Sequence, residues 1–494
     1  MGKKVAAACT ILVATMVSAL AGCSSDSGDT AKGNSGSADS AASSKPVTIN
    51  FWGRWPEVTG VMNETIAEFQ KKYPNITVKY TDVPSVQYVA QVQTALSGQD
   101  LPDIFGYTPS IPTYQLTALD AIMPLNDVIP EDKRKQYYDG TWSEGYTTMK
   151  GNIYAIPIFN PLRPSFAMYY NKEVLKSAGL TEKDIPKSWD QLYDFSKKVK
   201  ENTNGQAYGV VVGIKPTTYM SSILVQMATS VTPEVIPDSL GPFNYKTGKY
   251  EFNSPGIIQT LQMFKKLQDE KLLHPNSLVM SAREGTALME GGKVALVLDG
   301  VYFASQMQKD KLANYGVAPL PTFDGKPQYN HFYGESKVSL HVAKTTKNPK
   351  EVKLFLQFLA DNLYPKLVSS GIEYSPIPSI NENTKVNHPV AEQALKIQSK
   401  NFVLIPRPFQ KNAETIKVAT EMSGKMPKTT LSDISEGYLT GQIKDLKQAL
   451  DQLTNDSNKV FSDALKKVQS SGAKVSESDY IFPDWKPYEP YGAK

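Results

Sequence analysis

From Pro46 onward the apolar residues of this chain keep switching between two periods, and that switching confines it to layered α/β folds. Val47, Ile49 and Phe51 alternate, the period of a strand with one buried face. After the loop FWGRWPE, residues Met62, Ile66, Phe69 and Tyr73 line one face of a helix that Pro74 ends. Ile76, Val78 and Tyr80 alternate again, and a helix through Tyr88, Val92 and Leu96 leads into Pro102-Asp103-Ile104-Phe105. Such a rhythm argues for sheets covered by helices. It returns later: 209–214 and the apolar run 294–298, closed by Asp299-Gly300, read as short buried strands, and Val352, Phe355, Leu356, Leu359 and Leu363 read as a helix face. Leu446, Leu450, Leu453, Phe461, Leu465 and Val468 mark the last helical region, which Asn455-Asp456-Ser457-Asn458 should break. The Pro- and Tyr-rich stretch 480–494 reads as an extended tail on a lobe surface.

The N-terminus sets the compartment. Lys3 and Lys4 precede an apolar run over 5–19 that ends in Leu20-Ala21-Gly22-Cys23. A basic start and a short apolar run read as a signal peptide (1–22), and its last four residues resemble a lipobox. A peptidase would cut before Cys23, whose thiol would carry a diacylglycerol. The alternatives are an ordinary secretory signal with a chance cysteine, or a short membrane helix; four adjacent positions agreeing favour the lipobox. The mature chain would then be held outside the cell by lipid alone, each buried methylene adding about 0.8 kcal/mol. After Cys23, the stretch to residue 45 is Ser, Gly, Ala and Asp without apolar periodicity, a flexible tether with an r.m.s. reach of about 25 Å.

Composition narrows the function classes. Removing 22 of 494 residues leaves more chain than one hydrophobic core usually organises, so two domains or lobes are expected. At 40% hydrophobic and 21% charged, the chain has the make-up of a globular protein. The net charge is +4, of which Lys3 and Lys4 leave with the signal, so nothing points to nucleic acid. Cys9 and Cys23 are the only cysteines, which excludes a catalytic thiolate, thiolate zinc and iron–sulfur clusters in the mature chain. His274, His331, His341 and His388 are scattered, and no His-x-x-x-His pair exists for zinc. The run Gly209-Val-Val-Val-Gly213-Ile-Lys215 lacks the Gly-Lys-Ser/Thr of a phosphate loop, and Pro216 follows its lysine. No cofactor is expected.

Several segments, in order, resemble an extracellular solute-binding protein of an ABC transporter, in the family that binds sugars. VTINFWGRW with IAEFQKKYPNITVKY resembles its opening strand, helix and strand; LSGQDLPDIF its G-x-x-P-D strand entry; GNIYAIPI with AMYYNKEVLKSAGL its crossing to a second lobe. IPKSWDQL, ALMEGGKVALVLDGVYF, NYGVAPLPTFDGKP and SLHVAKTTKNPKEVKLFLQFL resemble later segments, Ser188 standing where the family has Thr. The resemblance runs from about 47 to about 468. It implies a two-lobed periplasmic-binding-protein type II fold of maltose-binding-protein kind, with a cleft between lobes and crossings near 156–163, 319–323 and 371–377. The N-terminal lobe would be 46–158 plus 322–372, the C-terminal lobe 160–318 plus 374–494. It also implies a monomeric binding protein and not an enzyme, capturing a carbohydrate (an oligosaccharide, from the aromatic supply) and docking on ABC permease subunits. Direct lipidation and the long tether favour a Gram-positive-type cell surface.

A pyranose offers apolar C–H faces to rings and a rim of hydroxyls to charged planar groups. Loops after strands supply both here, where open α/β sheets bind ligands. Trp52, Arg54 and Trp55 follow the first strand, Tyr107 follows Ile104-Phe105, and Asp299 and Tyr302 follow the 294–298 run. Tyr302 resembles the family's aromatic platform, and Asp299 could accept hydroxyl protons or cap a helix. Glu335 precedes the strand at 338–342, where an ion pair with Lys337 is its alternative; Tyr374 lies near the third crossing, Arg163 and Phe166 at the first. Arg407 and Phe409 resemble a region that contributes an aromatic, and Tyr219 completes the set. Asp103 reads as structural. A lipid-anchored glycoside hydrolase would need two facing carboxylates, and the sequence shows no evidence that Glu57, Glu144 or Glu335 form such a pair. A same-fold binder of a peptide or polyamine would need a charged clamp.

Overall fold

The computed structural model describes residues 45–494, apart from 109–110, 161–165, 214–216, 239, 281, 301–302, 308–312, 328–329, 333–337, 400–401, 490 and 492–494. Cys23 and the segment around it therefore lie outside the described residues. Strands β1 (Val47–Gly53), β2 (Ile76–Asp82), β3 (Ile104–Gly106) and β4 (Ile156–Pro157) come first. They are followed by β5 (Phe166–Asn171), β6 (Tyr208–Val212), β7 (Val294–Gly300), β8 (Tyr315–Pro319) and β9 (Ser339–Val342). These strands make two sheets, in the orders β2-β1-β3-β9-β4 and β8-β5-β7-β6. In the first, β1 is parallel to β2 and β3, and β9 is antiparallel to β3 and β4. In the second, β7 is parallel to β6 and antiparallel to β5, and β5 is antiparallel to β8.

Each sheet owns a core. On one face of the first, Ile49, Phe51, Ile104 and Leu340 pack against helices Thr59–Lys72 and Pro349–Ser369. Phe69 sets its ring edge-on to Phe355 at 5.0 Å. On the other face, Tyr88 and Val92 of helix Ser85–Ser97 cover Phe105. In the second sheet, Met168, Val210 and Leu296 pack against helices Trp189–Asn202, Pro255–Asp269 and Leu446–Ser470. Its opposite face, with Ala167, Tyr169 and Val297, is covered by Val390 and Ala394 of helix Pro389–Ser399. All seven residues of β7 are buried, which is why its sequence reads as one apolar run.

Local chemistry fixes the joints. Asn171, buried at the end of β5, caps helix Lys172–Ser177 by accepting from the N–H groups of Glu173 and Val174, and donates Nδ2–H to Met289 O at 2.7 Å. One side chain thus ties a strand end to two helices. Ser188 and Gln191 form a reciprocal capping box at the start of helix Trp189–Asn202. Gly209 lies where a Cβ would come within 2.2 Å of Ser196 Cα, so this glycine lets strand and helix meet.

Two expectations change. The last long helix, Leu446–Ser470, is unbroken at Asn455-Asp456-Ser457-Asn458. Asn458 accepts from Tyr250 N at 3.0 Å and donates to Tyr250 O at 2.8 Å, so its amide extends a strand rather than ending a helix. The tail is a core element rather than a surface dressing. Trp485 is fully buried beside Tyr245, and Phe482 N donates to Tyr245 O at 2.8 Å. Lys411 Nζ ties the backbone ahead of it, donating to Ser478 O and Ile481 O. Trp485→Ala should lower unfolding free energy by about 3–5 kcal/mol in urea titration, as for other buried aromatics; a change under about 1 kcal/mol would leave the tail a peripheral strap.

Candidate ligand-binding site

The C-terminal ends of β1 and β3 bring Arg54, Trp55 and Tyr107 together. Arg54 Nε donates to Tyr107 O at 3.0 Å, and its guanidinium carbon lies 5.4 Å from the Trp55 ring and 5.9 Å from that of Tyr88. Tyr88 donates its hydroxyl to Gly106 O at 2.9 Å, and burial pushes its phenol up. Trp55 is buried in the first core because Gly106 has no Cβ: one built there would fall 2.6 Å from the indole. Tyr107 is also buried, its ring stacked 6.2 Å from His341. Arg54 is therefore the partly exposed member, set against two rings and a carbonyl.

Trp52 points to the opposite sheet face from Phe51. Partly exposed, it borders a depression of about 640 Å³ with Asn50 and Asp103. Asp103 accepts from Asn50 N at 2.8 Å and from the Thr346 hydroxyl, a structural clasp. Glu144 accepts from Thr148 Oγ1 at 3.1 Å and from Lys150 N, closing its own hairpin.

In the second sheet, Asp299 lies inside β7 rather than after it, buried opposite Ala167, and accepts from Gly300 N. Tyr169 donates to Gly300 O at 3.0 Å. Phe166, partly exposed at the start of β5, has its N–H bonded to Gln226 Oε1 at 3.0 Å and lines a hollow of about 640 Å³ with Tyr170 and Pro319. Tyr219 belongs to helix Thr217–Ala228, but its side chain, like residues Arg163, Tyr302 and Glu335, lies outside what is described.

Where the chain passes between the sheets, crossing segments hydrogen-bond to one another. Ile158 N donates to Val338 O at 2.9 Å and Asn160 N to Tyr374 O at 2.8 Å, and Tyr138 N, from the stretch between β3 and β4, donates to Pro376 O at 3.0 Å. Burial raises the half-buried Tyr374 phenol, with Tyr138, Glu392 and Glu373 adding to the shift. Glu373 and Asn160 are buried here, and sequence reasoning missed both; a carboxylate inside the Gly371-Ile372-Glu373-Tyr374 crossing was the available signal. It also missed the loop 141–149. Thr147 Oγ1 accepts from Ser143 N at 2.7 Å and donates to Thr141 O at 2.7 Å, which stiffens the loop. Its tip meets the other core: Arg407 Nη1 donates to Ser143 Oγ, and Phe409 and Ile416 pack over Gly145.

A family model of the bacterial extracellular solute-binding proteins matches residues 55–362. This chain belongs to that family. The sn-glycerol-3-phosphate-binding periplasmic protein UgpB of Brucella melitensis is 23% identical over 337 residues, covering 65% of this chain and 73% of that protein. The galactooligosaccharide-binding protein of Bacillus subtilis is 21% identical over 419 residues, 83% of this chain and 92% of its own. The fold is similar to that of the GacH receptor of Streptomyces glaucescens, at a TM-score of 0.65 and 18% identity over 85% of this chain and 99% of that one. The architecture is accordingly the two-lobed α/β type of the MalE-like solute-binding proteins.

His341, stacked between Phe105 and Tyr107, gives a pH signature beside the site. Its Nε2 lies 3.0 Å from Thr113 Oγ1, and burial pushes the imidazole down to about 3. The folded state then holds this ring neutral, whereas the unfolded chain takes up a proton near pH 6.5. Stability from this group is full above the unfolded value and is lost as pH falls from 6.5 towards 3. His341→Gln should flatten the fall in unfolding free energy between about pH 6.5 and 5, ahead of the carboxylates; an unchanged slope would mean the ring protonates in the folded protein.

Proposed function

We propose that this solute-binding protein captures a sugar, an oligosaccharide by preference, between its two lobes and delivers it to the permease of an ABC importer. The observation that carries the reading is Arg54, a partly exposed planar cation at the strand ends, backed by buried Trp55, Tyr88 and the Tyr107 carbonyl, whose donors suit a rim of hydroxyls. Two of the similar proteins support it, one named for binding galactooligosaccharide and the GacH receptor solved with acarbose, while UgpB is named for sn-glycerol 3-phosphate. Trp52, Arg163, Phe166, Tyr219, Asp299, Tyr302, Glu335, Tyr374, Arg407 and Phe409 complete the candidate contacts, with buried Trp55 and Tyr107 backing Arg54.

In this reading the lobes divide at 46–158 plus 322–372 and 160–318 plus 374–494, and they close on the ligand because only the closed form makes both sets of contacts. Cys23 carries the lipid that keeps the catcher at the outer face of the membrane, as a monomer, with the tether leaving it free to dock. Catalysis has no part in it.

The test is thermal unfolding of the tether-free chain against a panel of glycans, polyols, peptides and amines. A ligand at 100 times its dissociation constant should add about 2.7 kcal/mol. Arg54→Ala should keep the fold and weaken the binding sugar about tenfold or more. A panel in which only peptides or polyamines shift the transition would contradict the sugar reading.

A further inference from the structure

We infer that the compound captured between the lobes carries an oxyanion, a phosphate ester or a carboxylate on a polyhydroxylated body, and that Arg407 receives it. The inference rests on the sugar-capture reading and sharpens its ligand class.

Arg407 is 4% exposed, yet it makes no ion pair among the described residues. Its Nη1 is used, donating to Ser143 Oγ, while Nε and Nη2 have no hydrogen-bond partner. Those two nitrogens form one side of the guanidinium fork, the side that grips two oxygens of a carboxylate or phosphate at once. A guanidinium keeps its charge at any physiological pH, so it cannot escape burial by losing a proton. A buried, uncompensated charge with two idle donors is costly, and native interiors pair such groups. The missing element is therefore an anion that arrives from outside.

Position supports the assignment. Arg407 lies where the two cores meet. Ser143 belongs to the stiff loop beside Trp142, which packs on the first core; Ile405 and Val418 on either side of Arg407 lie in the second. Nη1 is held from one lobe while the backbone belongs to the other, which fixes the plane of the fork. Partly exposed Phe409 lies over Gly145 at the same seam and offers a face to the apolar side of a polyol. A neutral hydroxyl pair could accept from the fork, but it would leave the buried charge uncompensated.

Calorimetry on the tether-free chain tests this with matched pairs: sn-glycerol 3-phosphate against glycerol, glucose 6-phosphate against glucose, and galacturonate against galactose, with a galactooligosaccharide as the neutral reference. The inference expects at least one anionic member to bind about 100-fold more tightly than its neutral parent, since a buried charge pair is worth that much. Which pair responds separates phosphate from carboxylate. Arg407→Lys, which keeps the charge and loses the fork, and Arg407→Gln should each erase most of that difference, and their unfolding curves show whether they fold. The comparison within the unaltered protein stands without them. Neutral sugars binding as tightly as their anionic counterparts would overturn the inference and leave the sugar reading standing. No binding by any sugar or polyol, with a peptide or amine bound instead, would overturn both.

Discussion

The structure depends on one constraint: two sheets bury separate cores, and a single chain must pass between them without a core of its own at the crossings. The crossings meet this by bonding to each other. Ile158 pairs with Val338, and Asn160 with the carbonyl of Tyr374, through the backbone. Their side chains join the cores on either side: Ile158, Phe159 and Ile372 lie in the first core and Leu320 in the second. Buried polar groups also lie at this seam: Asn160, Glu373 and Arg407 are all nearly free of solvent.

Much of this was legible in the sequence, because burial on one face imposes a period. Ile49 and Phe51 in β1, the face of helix Thr59–Lys72 and the apolar run of β7 all fall where their periods put them. Local polarity misled where a side chain had a distant partner. Asn458 looks like a helix breaker until Tyr250, more than two hundred residues away, is seen to need both its donor and its acceptor. The tail looked extended and superficial because Pro and Tyr carry no period; Trp485 is nonetheless fully buried beside Tyr245.

The candidate site was legible in kind more than in orientation. Arg54, Trp55 and Tyr107 do converge, but the chain loses its period where β1 ends, so nothing in the sequence says that Trp55 turns inward. That turn is set by the absent Cβ of Gly106, on another strand. The loop 141–149 and Glu373 were invisible for a related reason: a serine, a threonine and a lone glutamate gain meaning only when Arg407 or a crossing strand lies against them. Arg407 itself drew notice as a cation beside an aromatic. Its burial and its unused fork are properties of the packed seam alone.

The central claim is that ligand capture moves two preformed lobes about these crossings. The chain from Pro46 onward contains no cysteine, so one label can be placed on each lobe, at Lys79→Cys on β2 and Lys466→Cys on helix Leu446–Ser470, both exposed. Pulsed electron–electron resonance then reads the distance between them, with and without the compound that most raises the unfolding temperature. The account predicts that the distribution moves to a new and narrower maximum at saturation. Identical distributions in the free and saturated protein would contradict it.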